Sequence, residues 1–485
     1  MRFVRDARDG GEQRKAVTRG GTRHRRSSGG VRQSRSRLVL TSLALCLVAV
    51  GCPDGGSSTG LNCAVELQAG MNDHIRAYAD MAIFNIPAAC LGVHPQSEMW
   101  ASRWFEYGNK DAANGDTSRR GDFDISLLNY SSPVYDGTRL GRRRVFISKL
   151  YEWNNWRTAA FESSIPWRDD WTPSQSNDKE LVIVDNSSGN EWGVWDVRDR
   201  FDLFNGCRLG YWDFHPEWGD LCVGGVSMGR TESGAASNFS KAVTGVPVSN
   251  GLSDVSVRTI GKMNPLALVP RLEEVEAGAI HHALNLEAFN TMFGPGCTDA
   301  QLAGYDPAVA SNVVGVECGF AVAPASRIEH PVADNGSFGT SAADRAKTVP
   351  EGMRFHITLT GDEIERWLDR RYPVPEGTPG DALVVRQRST AKIFAVALRD
   401  YGFYISDTSS WGSSIAADGS SDPDKSRRWK ALGLDVKNTV KWQGIDVEMD
   451  GPRLLDGLLS SATQVATLAV PDIGTCPHHI CTGYL

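Results

Sequence analysis

The chain has 485 residues, with 51 Lys and Arg against 58 Asp and Glu, a formal net charge of −7. Residues 1–51 hold 12 of the basic residues and 3 of the acidic ones, which leaves −16 on the remainder. A mature chain that acidic repels nucleic acid and anionic lipid, so neither is an expected partner. Its length suits one large β-rich domain or two to three smaller ones.

In chain order, the first readable element is a leader containing Arg23, Arg25, Arg26, Arg32, Arg35 and Arg37. It runs into an apolar stretch, 38–52, that ends Ala49-Val50-Gly51-Cys52. Small residues just ahead of a cysteine are the layout of a bacterial lipoprotein signal, with Cys52 as the lipidated first residue of the mature chain. The stretch is too short to span a bilayer comfortably. An ordinary cleaved signal with an incidental cysteine is the alternative. The expected location is therefore the bacterial cell envelope, lipid-anchored at the outer membrane or cell surface. Residues 52–61 read as a flexible tether. Residues 62–121 read as a disulfide-pinned wrap, 122–450 as the principal domain, and 451–485 as a tail with a disulfide loop.

Apart from Cys46 and Cys52, eight cysteines remain, in local pairs: Cys63/Cys90, Cys207/Cys222, Cys297/Cys318 and Cys476/Cys481. An even number in an oxidising compartment suggests four disulfides, and pairing between sequence neighbours is the simplest arrangement. The segment 476–481, Cys-Pro-His-His-Ile-Cys, also offers two thiols and two imidazoles to a metal. Adjacent histidines rarely reach one ion, so the small disulfide loop is preferred.

Strands are expected at 144–147, 255–260, 280–289, 353–359, 382–386, 402–407 and 445–449. A hairpin is expected from 181–185 and 191–197 around the turn Asn186-Ser-Ser-Gly-Asn190. Thr360 and Glu363 form a capping-box pattern for a helix over 362–372, stopped at Pro373. A second helix, 389–401, puts Ile393, Phe394, Ala397, Leu398 and Tyr401 on one stripe and ends at Gly402. A third runs over 428–432, and 408–426 reads as a surface loop. Many short strands, few helices and no βαβ rhythm predict a mainly β fold, a sandwich of jelly-roll type with two or three short peripheral helices.

Ten of the 14 tryptophans lie between Trp100 and Trp218. Aromatic faces stack on the C–H faces of sugar rings, which makes Trp192, Trp195 and Trp212 candidates for a glycan groove; Trp192 and Trp195 have opposite strand parity, so at most one of them faces it. Parity also aligns Arg354, His356 and Thr358 on one face of their strand, and Tyr404 can join that row. Arginine neutralises a sugar carboxylate while histidine or tyrosine exchanges protons. Asp185, Glu274 and Asp407 are candidate carboxylates for hydrolysis. His282, on an apolar strand face, is either a proton acceptor at the cleft or a hydrogen-bonded core residue. Gly225-Val-Ser227-Met-Gly229 matches a nucleophile elbow, but 220–224 ahead of it reads as a weak strand only and 230–239 after it lacks a helical stripe. No resident cofactor is expected; structural calcium near Asp418, Asp422 and Asp424 is a weaker reading of an acidic loop.

The segment Gly278-Ala-Ile280-His-His282-Ala-Leu284, taken with Ala397-Leu-Arg-Asp-Tyr401-Gly402-Phe-Tyr-Ile-Ser-Asp407, resembles an uncharacterised family of exported bacterial β-rich proteins. Ser132-Pro133-Val134-Tyr135 and the Val184-Asp185…Trp192…Trp195 segment extend the resemblance. It implies a setting like that of secreted polysaccharide-active or polysaccharide-binding proteins, with no settled activity. The expected function is cleavage of an extracellular or envelope polysaccharide by hydrolysis or elimination. The rival expectation is a non-catalytic glycan-binding or adhesion lipoprotein.

Overall fold

The computed structural model describes residues 84–104, 124–147, 164–175, 179–185, 187–188, 190–197, 215, 218–230, 263, 265–288, 291, 321–322, 324–325, 348–374, 381–408, 413–442, 445–450, 453–459 and 468–471. The leader with Cys52, the strand expected at 255–260, Trp212, and Cys63, Cys207, Cys297, Cys318, Cys476 and Cys481 lie outside them. Cys90 and Cys222 are each disulfide-bonded. The chain divides into two units, Met1–Gly51 and Cys52–Leu485, and everything described belongs to the second.

The strands are β1 (Asp124–Ser126), β2 (Val134–Asp136), β3 (Arg142–Ile147), β4 (Ser164–Pro166), β5 (Leu181–Asp185), β6 (Asn190–Trp195), β7 (Leu221–Val223), β8 (Gly225–Arg230), β9 (Leu284–Ala288), β10 (Arg354–Ile357), β11 (Phe403–Thr408), β12 (Ser414–Ala416), β13 (Lys437–Trp442), β14 (Ile445–Asp450) and β15 (Leu468–Ala469). The α-helices are α1 (Ser97–Arg103), α2 (Leu272–Ala277), α3 (Gly361–Arg371), α4 (Ala382–Asp400) and α5 (Pro423–Ala431). Among the described residues these strands form four sheets: β1-β12-β9-β11-β10-β15, β2-β5-β6-β8, β4-β3-β7 and the hairpin β13-β14.

The mainly β character is as the sequence predicts. Pairing is mixed, however: β1 with β12, β9 with β11, β2 with β5 and β3 with β7 are parallel. A jelly roll joins antiparallel neighbours, so these strands do not trace one.

Period-two burial explains the layering. In β5, Leu181 and Ile183 enter one apolar cluster with Val145 of β3, Trp192 of β6 and Val223 of β7. Val182, between them in sequence, enters another with Phe84, Leu268, Ala283 and Tyr404. A strand buried on both faces reads as the continuous run Leu-Val-Ile-Val. The largest cluster joins the six-stranded sheet to Ile364, Trp367 and Leu368 of α3 and Phe394 and Leu398 of α4.

Helix boundaries follow their caps. Thr360 and Glu363 close the expected capping box of α3. The strand expected at 382–386 is instead the first turn of α4, where Asp381 accepts the amide of Leu383 at 2.7 Å. The Leu-Val-Val run favours a strand locally, but the cap and the packed stripe that follows override it. Gly402, as expected, ends α4 at φ +77°, and a Cβ there would lie 2.0 Å from the Phe355 carbonyl oxygen. The loop expected over 408–426 contains β12 and the start of α5, where Asp422 accepts the amides of Asp424 and Lys425 ahead of Pro423 at the first turn. The expected 181–197 hairpin forms, with β5 and β6 antiparallel. Among the described residues of 280–289 the strand covers Leu284–Ala288, and α2 precedes it, ending at Gly278 with φ +91°.

Candidate functional site

Alternation gives the six-stranded sheet two unlike faces. Leu284, Leu286, Phe355, Ile357, Phe403, Ile405 and Ile415 pack toward the helices. Across the other face run two polar rungs. The first pairs Arg354 with Tyr404 and Tyr404 with Asn285. The second pairs Asp407 with Glu287 and Glu287 with Ser414. A register shift between Ile405 and Asp407 creates the second rung. Strict alternation would place Asp407 with Phe403 and Ile405; the extra residue, Ser406, re-aims it beside Glu287.

The first rung is part of the interior. Arg354 is 1% exposed. Its Nε donates to the Tyr401 carbonyl at 2.8 Å, and its Nη2 donates to that carbonyl and to Ile86 O at 2.7 Å. The guanidinium also lies 5.4 Å from the Tyr404 ring centroid. Burial pulls Arg354 below the ordinary guanidinium value and pushes the Tyr404 phenol up. His356 is half-buried and held at about 4, first by desolvation and then by the charge of Arg354. Thr358 is exposed, beyond the end of β10. Asn285 donates from Nδ2 to Leu268 O at 3.1 Å and Ala416 O at 2.8 Å, and its Oδ1 accepts from Ala416 N at 2.7 Å. The Arg354–Tyr404 neighbourhood expected from parity therefore forms, but as a buried clamp on the backbone.

The second rung lies at the carboxyl ends of the parallel strands β9 and β11, the end at which open sheets present ligand sites. Glu287 is buried and accepts from Ser414 Oγ at 3.2 Å, while Asp407 and Ser414 are half-buried. The hydroxyls of Ser406 and Ser413, beside these residues in sequence, are buried and have no hydrogen-bond partner among the described residues. Such groups cost about 1–3 kcal/mol when unmet. Sequence reasoning named Asp407 and passed over Glu287 and Ser414. The signal was a glutamate on the non-core parity of Leu-Asn-Leu-Glu-Ala, in a strand buried along its length.

The remaining candidates are separate from this rung. Glu274 and His282 meet at 3.1 Å, deep in the protein, with Arg271 Nη2 3.0 Å from the same carboxylate. His282 Nδ1 faces the Ala283 carbonyl at 2.8 Å. Glu274 also accepts the Arg271 amide at 2.9 Å, closing the first turn of α2. Burial pushes the Glu274 carboxyl up, but the charges of His282 and Arg271 hold it below its ordinary value. Asp185 is bound by its own turn, accepting the Ser187 and Ser188 hydroxyls at 2.5 and 2.8 Å.

Trp192, expected on a sugar-binding face, is fully buried beneath Arg142 and between strands; this corrects its assignment. Trp195 is half-buried against Gly224. The Gly225–Gly229 motif lies wholly within β8, paired to β6, so no elbow forms. Asp418 accepts from Lys425 Nζ at 2.5 Å and Val134 N at 2.6 Å, Asp422 caps α5, and Asp424 pairs with Arg427. Each of the three carboxylates is thus engaged by donors of the protein itself. Among the described residues no group of three or more His, Cys, Asp or Glu side chains is placed to hold a metal, and no helix is long and apolar enough to cross a membrane.

Comparison with family models, with curated proteins and with solved structures finds no match to this chain.

Proposed function

We propose that this chain is an exported lipoprotein, anchored through Cys52, that hydrolyses an extracellular or cell-envelope polysaccharide at the Asp407–Glu287 rung. The observation that carries the reading is the bulge that sets two carboxylates side by side at the end of a parallel strand pair. Glycoside hydrolysis needs one carboxyl that carries a proton and one that is ionised, and unequal burial is a usual way to separate the two. Glu287, the more buried, is assigned the acid that protonates the leaving oxygen. Asp407, the more open, is assigned the nucleophile at the anomeric carbon. Strands about 4.8 Å apart favour the short carboxyl spacing of a retaining mechanism. Water then attacks the anomeric carbon and displaces Asp407, with Glu287 taking a proton from that water and so regaining its acid form. Elimination draws less support, since Nε and Nη2 of the buried Arg354 donate to the Tyr401 and Ile86 carbonyls. The acidic chain favours neutral glycans over acidic ones.

The test is a panel of neutral and acidic polysaccharides, scored for new reducing ends and for the absorbance of unsaturated products. Reducing ends without unsaturation are expected. Glu287→Gln and Asp407→Asn should each lower turnover about 10²–10⁴-fold at an unchanged melting temperature. Unsaturated products would replace hydrolysis by elimination. Binding without any product would leave a non-catalytic glycan-binding lipoprotein.

A further inference from the structure

In the six-stranded sheet β9 lies between β11 and β12, so Glu287 has a cross-strand neighbour on either side, Asp407 and Ser414. The two differ in kind. An ionised Asp407 only accepts hydrogen bonds, whereas Ser414 carries a donor. Its Oγ donates to Glu287 Oε2 at 3.2 Å. Of Ser406, Ser413 and Ser414, the last is the one whose hydroxyl reaches this carboxyl. The other two hydroxyls are buried and have no hydrogen-bond partner among the described residues. The backbone sets Ser414 from both edges of its strand: β12 pairs with β9 at Glu287 and with β1 at Asp124. A side chain carried on a strand paired along both edges is placed more precisely than one on a loop.

Proton transfer gives that contact a use. A glutamate that first gives a proton and then takes one back works best when both transfers occur at the same oxygen. In the carboxylate both oxygens accept hydrogen bonds, and in the protonated acid the oxygen without the proton still accepts one. A donor fixed on Oε2 is therefore satisfied in both states and leaves Oε1 to carry the proton. A proton on Oε2 would instead force the serine to turn round and accept.

We infer that Ser414 is a positioning residue for the proposed hydrolysis: it reserves Glu287 Oε2 as an acceptor, so that the proton is delivered and recovered at Oε1. The inference rests on the assignment of Glu287 as the acid, and Ser414 acts through that residue without touching a reacting atom. A hydroxyl bonds more strongly to a carboxylate than to the neutral acid. Removing it therefore raises the pH at which Glu287 ionises. Among the described residues, the titratable groups nearest Glu287 by register are Asp407 on β11 and Asp124 on β1, in register with Ser414. The buried Glu351 adjoins Gly352, whose amide donates to Ile405 O at 2.8 Å. Ser414→Ala leaves all three in place.

Two measurements on the full-length mature protein and its Ser414→Ala and Ser414→Thr variants test this. Heteronuclear NMR of protein labelled at the glutamate side-chain carboxyls follows the titration of Glu287, its signal assigned by Glu287→Gln. The pH profile of kcat/KM on the hydrolysed polysaccharide follows the alkaline limb, where the acid loses its proton. Ser414→Ala should move both upward by about 0.5–1 pH unit and lower kcat about tenfold. Ser414→Thr, which restores a hydroxyl, should return both toward wild type. A merely structural serine would lower the melting temperature and leave the carboxyl titration where it was. An unmoved titration overturns the inference and leaves the hydrolytic reading standing. A moved titration with an unmoved alkaline limb, or a wild-type protein that hydrolyses nothing, overturns Glu287 as the acid and the inference with it.

Discussion

At His282 both ring nitrogens face oxygen acceptors, the Ala283 carbonyl and the Glu274 carboxylate. A carbonyl cannot donate, so a ring protonated on both nitrogens meets both contacts and a neutral ring meets one. The residue is a strut between α2 and the segment leading into β9. His282→Gln should therefore destabilise the protein by about 1–3 kcal/mol, because Glu274 loses a hydrogen-bond partner while staying buried. Denaturant unfolding would show a lower midpoint with an unchanged slope. The folded fraction should retain glycan turnover and binding; loss of either at wild-type stability would move His282 into the site. In the sequence, His282 stood among leucines with two readings open. What decided between them was Glu274, eight residues back, which a strand reading of 280–289 keeps apart from it and the helix α2 brings to it.

At the scale of elements, α4 shows how far the sequence can be read. The stripe of Phe394, Ala397 and Leu398 is buried on the six-stranded sheet, while Ile393 lies at its margin, only partly buried. Phe394→Ala should cost about 3–5 kcal/mol, and Ile393→Ala distinctly less. Equal losses in chemical denaturation would mean that the helix sits with a different face on the sheet. Local signals gave the caps at Thr360 and Gly402, the hairpin of β5 and β6, and the strands β10 and β11. They could not give the partners. β9 and β11 are more than a hundred residues apart in sequence and lie parallel, so no turn chemistry records their pairing. The bulge at Ser406 is likewise silent in the sequence. It alone moves Asp407 from the core parity to the polar one, and so the carboxylate rung was only half legible: Asp407 by type, Glu287 not at all. The tryptophans misled for a related reason. Composition counts aromatic rings without saying which face of a sheet will be covered, and Trp192 went inside.

For the molecule as a whole, the stacked sheets carry a consequence for acid stability. His356 titrates near 6.5 when unfolded and at about 4 when folded, because burial and then Arg354 disfavour its charged form. Between those values the unfolded chain binds more protons, so stability falls as pH falls. The contribution is full above about pH 6.5 and is lost by about pH 4. It is worth on the order of 2 kcal/mol once solvent screening of a half-buried ring is allowed for. Glu274, held below its ordinary value by His282 and Arg271, acts in the same direction at lower pH, when its carboxylate is protonated. The protein should therefore lose stability in two stages on acidification. Chemical denaturation across pH 7.5 to 3.5 would measure this, and His356→Gln should flatten the upper stage while leaving the lower one. Stability that stayed level from pH 7 to pH 4.5 would mean that the imidazole accepts its proton in the fold, and that Arg354, two residues back on the same strand, does not bear on it.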